Sequence, residues 1–290
     1  VAERGLLRIG ELSRRSGVSP ELLRAWERRY GLLEPTRSTG GLRLYSHTDL
    51  ERVQSMQRHL ADGLAAAEAA SLATQPPTEG PSDVVLASTA ARDELAAALS
   101  AYDEARAHAV LDRLLGAATL DSVLSEVVVP YLEELGERWE RGDASVAEEH
   151  FATGVLRGRL LGLARGWNRG LGPQAVLACA PGEQHDLGLI AFGLALRSRG
   201  FRILFLGADT PIESVAETAD ATAPEFVVVS SVSAERFRSV ARGLRQLGRR
   251  HRLCLGGGGA TDAGIDAVLL PGDPVAEADR LAALAPAVTR

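Results

Sequence analysis

From residue 174 onward, five short apolar runs (175–180, 202–207, 226–231, 253–256 and 267–270) alternate with stretches of helical spacing. Uninterrupted apolar runs of this length suit strands covered on both faces, and parallel strands need a crossover between them. The alternation therefore predicts an α/β domain over 171–290: a five-stranded parallel sheet, doubly wound in the flavodoxin-like, Rossmann-type manner. Ligand-binding loops belong at the carboxyl ends of its strands.

Residues 83–170 carry Ala/Leu-rich helical patterns and nothing that reads as strand. The spacing predicts helices at 91–100, 102–115, 119–141 and 145–167, joined by short connections as in an antiparallel four-helix bundle. The third connection, 141–144, is only a turn, and Ser145 with Glu148 reads as a capping box for the last helix. Trp139 lies about one turn before this hairpin and the Glu149-His150 pair about one turn after it. At a rise of about 1.5 Å per residue the three sit at a similar level and can converge on one ligand.

The first 74 residues read as a separate head. A short helix begins near Leu7, Ser16-Gly17-Val18 forms a turn, and Ser19-Pro20 supplies an N-cap followed by proline at the first helical position. The helix from 20 to 30 should bury Leu22, Leu23 and Trp26 and present Arg24 and Arg28, four residues apart, on its outer face. Gly40-Gly41 implies a hairpin from which Arg37, Arg43 and Tyr45 project. Ser46 to Asp49 reads as a capping box for a helix over 48–63. Residues 75–82, rich in proline, read as a flexible linker.

The chain of 290 residues has a net charge of −6, which argues against a uniformly basic nucleic-acid binder, but residues 1–45 hold nine Arg against five Glu. A locally basic head on an acidic body suits DNA binding by the head and sensing by the body. Every basic residue other than histidine is arginine. Cys179 and Cys254 fall inside apolar runs and read as core residues. With no apolar run near the length of a membrane span and no signal-like N-terminal segment, the expected setting is cytoplasmic.

His185 falls in the loop after the first strand of the sheet, with Glu183 placed to accept a hydrogen bond from its ring, as carboxylates do for metal-bound histidine. Gly188 leaves room where the next helix starts. Ser230-Ser231 and the run Gly256-Gly257-Gly258-Gly259 put small residues at the ends of the third and fourth strands, with space for a long, flat group.

These motifs resemble three known patterns. Gly17-Val18-Ser19, the stretch from Leu23 to Leu33 and Arg43-Leu44-Tyr45-Ser46 resemble the winged helix-turn-helix of MerR-family regulators over residues 6–73. The resemblance implies operator DNA as partner and Ser19, Arg24, Arg28, Arg37, Arg43 and Tyr45 as its contacts. Glu183-x-His185-x-x-Gly188 with Ser230 and the glycine run resembles the cobalamin-binding domain of methionine synthase and its relatives. There the histidine is the lower axial ligand of cobalt and the displaced nucleotide tail enters the Ser/Gly pocket. By that likeness His185 is the cobalt ligand, Glu183 orients it, and Gly188, Ser230, Ser231, Gly256, Gly257 and Gly258 line the tail.

The spacing of Trp139, Glu149 and His150 resembles the CarH/LitR light-dependent regulators of carotenoid genes. It implies that these residues cover the upper face of adenosylcobalamin, as a repressor that assembles as a dimer or tetramer in the dark and dissociates in light. One departure is Glu140, where some members carry a second histidine. Three other readings stay open: a light-independent cobalamin sensor, a regulator using another tetrapyrrole such as a bilin, and a corrinoid methyl-carrier protein.

Overall fold

The computed structural model describes residues 7–37, 42–61, 65–74 and 81–285; within these, the side chains of Arg37, His47, Glu51, Arg58, Ala61, Leu72 and residues 81–87 are outside the description. The chain divides into two compact units, Val1–Ser82 and Asp83–Arg290.

In the first unit, α1 (Ile9–Ser16) ends on Gly17 in the left-handed conformation. Ser19 caps α2 (Pro20–Tyr30), accepting from the Leu22 amide at 3.3 Å. The antiparallel pair β1 (Thr36–Arg37) and β2 (Arg43–Leu44) forms the expected hairpin, while Gly40-Gly41 lies outside the described residues. In the capping box before α3 (His47–Ala61), Asp49 Oδ2 accepts from the Ser46 amide at 2.7 Å and Ser46 Oγ accepts from the Asp49 amide at 3.1 Å. A further helix, α4 (Ala66–Thr74), has no counterpart in the sequence reading. Leu12, Leu23, Trp26, Tyr45, Val53 and Met56 form the core.

Two expectations for this unit are corrected. Leu22 does not face inward but is exposed, because the inward stripe of α2 is set by Leu23 and Trp26. Tyr45 does not project from the wing: it is fully buried, and its hydroxyl donates to Glu27 Oε2 at 2.9 Å.

Helix α5 (Pro81–Ser100), all but its first two residues in the second unit, starts ten residues earlier than the spacing suggested. Proline at the first helical position is compatible with helix, so the expected linker reaches no further than residue 80, and residues 75–80 lie outside the description. The other bundle members are α6 (Glu104–Ala117), then α7 (Leu120–Val123) running through a π-turn over Leu124–Val128 into α8 (Val129–Arg141), and α9 (Val146–Leu163). The π-turn has a local cause. Pro130 cannot donate to the carbonyl of Glu126 and its ring crowds that carbonyl, and one wider turn accommodates both.

The sheet consists of β3 (Gln174–Cys179), β4 (Arg202–Gly207), β5 (Phe226–Ser230), β6 (Leu253–Gly256) and β7 (Val268–Leu270), all parallel, in the order β4-β3-β5-β6-β7. Helices α10 (Leu187–Ser198) and α14 (Pro274–Leu284) pack on one face; α11 (Ile212–Thr222), α12 (Ala234–Ser239) and α13 (Ala241–Gly248) cover the other. Alternation along β3 sorts the core: Ala175, Leu177 and Cys179 join α10 and the bundle, while Val176 and Ala178, with Ala180 just beyond the strand, join the opposite layer. One continuous core thus ties the bundle to one face of the sheet. Trp167 stands edge-on to Phe205 at 5.6 Å, and at Gly193 a Cβ would meet Trp167 and Leu177 atoms at 3.0 Å. Both cysteines are buried, and burial pushes their thiols up to about 12. Among the described residues no helix is long and apolar enough to cross a membrane.

Candidate functional site

In this strand order the direction of winding switches between β3 and β5, with β4 on one side of β3 and β5 to β7 on the other, and the loops leaving their carboxyl ends border the crevice where such sheets bind ligands. Cys179 pairs with Ser230 and Ser230 with Gly256, so the three loops carrying Glu183-His185, Ser231-Ser233 and Gly257-Gly259 leave the sheet side by side. The first loop is pinned by its neighbour: the Gly182 amide donates to Asp209 Oδ1 at 2.6 Å, and the Asp209 amide donates to the Glu183 carbonyl at 2.9 Å.

Glu183 is fully buried and collects five donors. Its Oε1 accepts from His185 Nδ1 at 2.6 Å and from the His185 amide at 3.0 Å. Its Oε2 accepts from Ser231 Oγ at 2.9 Å, the Val232 amide at 2.9 Å and Arg236 at 3.1 Å. Burial opposes ionisation of the carboxyl, but the bonds donated by His185, Val232 and Ser231 outweigh it and hold the pKa at about 2. An ionised carboxylate only accepts, so Nδ1 carries the proton. The bond to Glu183 raises the pKa of His185 above its ordinary value, partly offset by burial, and the charge of Glu149 adds to the rise.

With Nδ1 committed, the neutral ring keeps its lone pair on Nε2, and among the described residues nothing hydrogen-bonds to that atom; the side chain is 65% exposed. A single imidazole presented this way suits a metal whose remaining positions are already held by a macrocycle, and among the described residues no cluster of three or more His, Cys, Asp or Glu forms a self-contained metal site. The residues present are therefore compatible with a metal carried by a corrin, whose macrocycle supplies the other donors.

The small residues divide by role. A Cβ on Gly188 would meet nothing within 4 Å, so that position opens onto free space. At Gly257, with φ +83°, a Cβ would lie 2.7 Å from the Ser231 carbonyl oxygen. At Gly259 it would lie 2.4 Å from the Ser233 carbonyl carbon; these two glycines let the loops pack backbone to backbone. Gly256 and Gly258 meet only ordinary contacts. Ser230 is half-buried, but Ser231 is buried and its hydroxyl is committed to Glu183, so it serves the histidine rather than forming an open wall.

Trp139 lies in the last turn of α8 and is 52% exposed; Glu149 and His150 lie in the first turns of α9, the histidine 74% exposed and its Nε2 3.5 Å from Glu149 Oε2. The hairpin between them is braced. Gly142 closes α8 in the left-handed conformation, and Ser145 caps α9 through the Glu148 amide at 3.1 Å. Glu148 does not complete the capping box; its side chain accepts from Arg138 at 2.8 Å and from Ser100 at 2.7 Å. Glu140 is exposed.

On the head, Arg24 and Arg28 are exposed on α2, and among the described residues neither forms an ion pair. Arg43 is exposed but rests on Glu27 at 3.1 Å; Ser19 is engaged as a cap; the Arg37 side chain lies outside the described residues. Tyr45 is removed from the set of DNA contacts by its burial. Sequence reasoning missed Arg236, 53 residues from Glu183, and the pair of Arg157 with Asp186, 29 residues apart. No local pattern signals either.

A winged helix-turn-helix head followed by a helical bundle and a flavodoxin-like sheet with a carboxylate-oriented histidine defines a class: DNA-binding regulators with a corrinoid domain. A model described as MerR HTH family regulatory protein matches residues 7–75, and two described as B12 binding domain match residues 91–161 and 173–278. The chain is 38% identical to the HTH-type transcriptional repressor CarH of Myxococcus xanthus over 252 residues, which is 82% of this chain and 84% of that one. It is 34% identical to the repressor CarA of the same organism over 241 residues, 81% and 80% of the two chains. The chain belongs to the CarH-like family of MerR-type regulators with B12-binding domains. The monomethylamine corrinoid protein of Methanosarcina barkeri superposes with a TM-score of 0.55 at 16% identity, covering 68% of this chain and 99% of that one, a likeness of fold alone.

Proposed function

We propose that the protein is a cytoplasmic, light-responsive transcriptional repressor that takes adenosylcobalamin as its chromophore. The single observation that carries this reading is the presence in one unit of a His185 Nε2 left unengaged and oriented by Glu183, and of a braced hairpin that carries Trp139, Glu149 and His150. Bound adenosylcobalamin supplies a cobalt–carbon bond that visible light cleaves. His185 offers the protein's ligand to cobalt, Glu183 holds the ring in the tautomer that leaves Nε2 free, and Trp139, Glu149 and His150 contact the adenosyl side. Gly188, Ser230 and Gly256 to Gly258 border the room for the nucleotide tail.

A free-energy difference between the loaded and the illuminated forms is what shifts an assembly equilibrium. We infer that copies of the chain associate in the dark and hold operator DNA through several heads at once, each presenting Arg24 and Arg28, and that linkage makes assembly decisive for affinity. In light the assembly separates and genes for photoprotection, carotenoid synthesis among them, are expressed. Retention of an operator fragment by the protein with adenosylcobalamin in the dark, lost after green light, tests this; equal retention in both conditions overturns it.

A second reading is favoured by Glu140. An exposed carboxylate stands where some relatives carry a histidine, so the chain offers no second imidazole there, and a cobalamin-supply sensor without photochemistry would need none. Equal responses to adenosylcobalamin in dark and light would select it.

A further inference from the structure

Asp186 directly follows His185 and stands at the N-cap of α10, where an aspartate ordinarily accepts from the first helical amides. Here its carboxylate makes no capping bond. It is instead gripped from the bundle: Arg157 Nε lies 3.1 and 2.9 Å from the two carboxylate oxygens, and a terminal guanidinium nitrogen lies 2.8 Å from Oδ2. The carboxylate is almost wholly buried while Arg157 is 47% exposed, and among the described residues Arg157 is its only side-chain partner. Residues 149, 153 and 157 follow at intervals of four, so Glu149 and Arg157 share one face of α9.

We propose that Arg157 is a positioning residue for the cobalt ligand: by holding Asp186 it fixes the His185 loop to the helix that carries Glu149 and His150. The inference rests on the reading of His185 as that ligand. The two sides of the cofactor site are then fastened by a fork-shaped contact as well as by the shared core, and displacement of α9 pulls directly on the residue next to His185. A buried carboxylate with one cationic partner is sensitive to loss of that partner, and a lysine keeps the charge but not the fork.

The test uses the full chain labelled with 15N-histidine and loaded with cob(II)alamin, in wild type and in Arg157→Gln, Arg157→Lys, Asp186→Asn and His185→Ala. The electron paramagnetic resonance spectrum of the wild type should show doublet splitting from an axial 15N, and His185→Ala should abolish it. Arg157→Gln should bind at least about tenfold more weakly, the scale for partners of a metal ligand, and give a mixture of coordinated and uncoordinated spectra, with Arg157→Lys intermediate. If Arg157→Gln fails to fold, Asp186→Asn, which removes the buried charge rather than stranding it, decides by the same readout. Wild-type affinity within twofold and an unmixed doublet in the variant that decides overturn the proposal while leaving His185 as ligand. Absence of the doublet from the wild type refutes the ligand reading, and the proposal with it.

Discussion

Replacing Glu183 with glutamine preserves shape and removes two things the site depends on. The carboxylate accepts five hydrogen bonds, two at Oε1 from His185 and three at Oε2 from Ser231, Val232 and Arg236. A carboxamide has one oxygen. With that oxygen toward Ser231 and Val232, the amide nitrogen faces His185: the backbone N–H is stranded, and the ring must turn its Nδ1 lone pair to the new donor and place its proton on Nε2, the atom a metal needs bare. With the oxygen toward His185, the nitrogen faces the Val232 amide and Arg236 instead. Either orientation sets a buried donor against a donor, at about 1–3 kcal/mol, and weakens charge-assisted bonds elsewhere in the network. We expect the apo protein to lose about 2–4 kcal/mol of stability and cobalamin affinity to fall about 10–100-fold. Urea unfolding measures the first, and titration followed by corrin absorbance the second. Unchanged affinity with the predicted loss of stability would refute the claim that Glu183 acts through His185.

Arg24→Ala or Arg28→Ala should weaken operator binding and make the dependence of log K on log salt shallower by about one for each phosphate the variant no longer neutralises; unaltered binding by both would move the interface off α2. Tyr45→Phe should leave DNA affinity unchanged, because the hydroxyl is buried against Glu27, while costing about 1 kcal/mol in thermal unfolding of the head. The pKa of Glu148 is lowered by its bonds from Ser100 and then Arg138, against the effect of burial. A carboxyl with a depressed folded-state value stabilises above its unfolded pKa, and the benefit is lost as pH falls through the folded value. The stability difference between wild type and Glu148→Gln, about 1 kcal/mol at pH 7, should therefore shrink steadily as pH falls below about 4.5, and a constant difference across that range would contradict it.

The sheet was legible almost to the residue because its inner strands β3, β5 and β6 are buried on both faces and the partly exposed edge strands β4 and β7 are still largely apolar, so that each writes itself as an apolar run. The Glu183-His185 contact was legible because the partners lie two positions apart in the chain. What escaped depended on distance or on weak local signals. Arg236 and Arg157 meet their carboxylates only after β5 and α9 are in place. The start of α5 hid behind Pro76, Pro77 and Pro81, where a proline that starts a helix looks the same as one in a linker. Tyr45 was misplaced because alternation in a two-residue strand does not say which side faces a core; the acceptor on Glu27, 18 residues away, does.

The central claim is that one pocket couples cofactor photochemistry to assembly. Size-exclusion chromatography of the protein with adenosylcobalamin, in the dark and after green light with corrin absorbance followed across the peak, tests it most directly. The account predicts a larger, corrin-containing species in the dark that separates into smaller ones on illumination. A corrin-containing species whose size is the same in dark and light would contradict it.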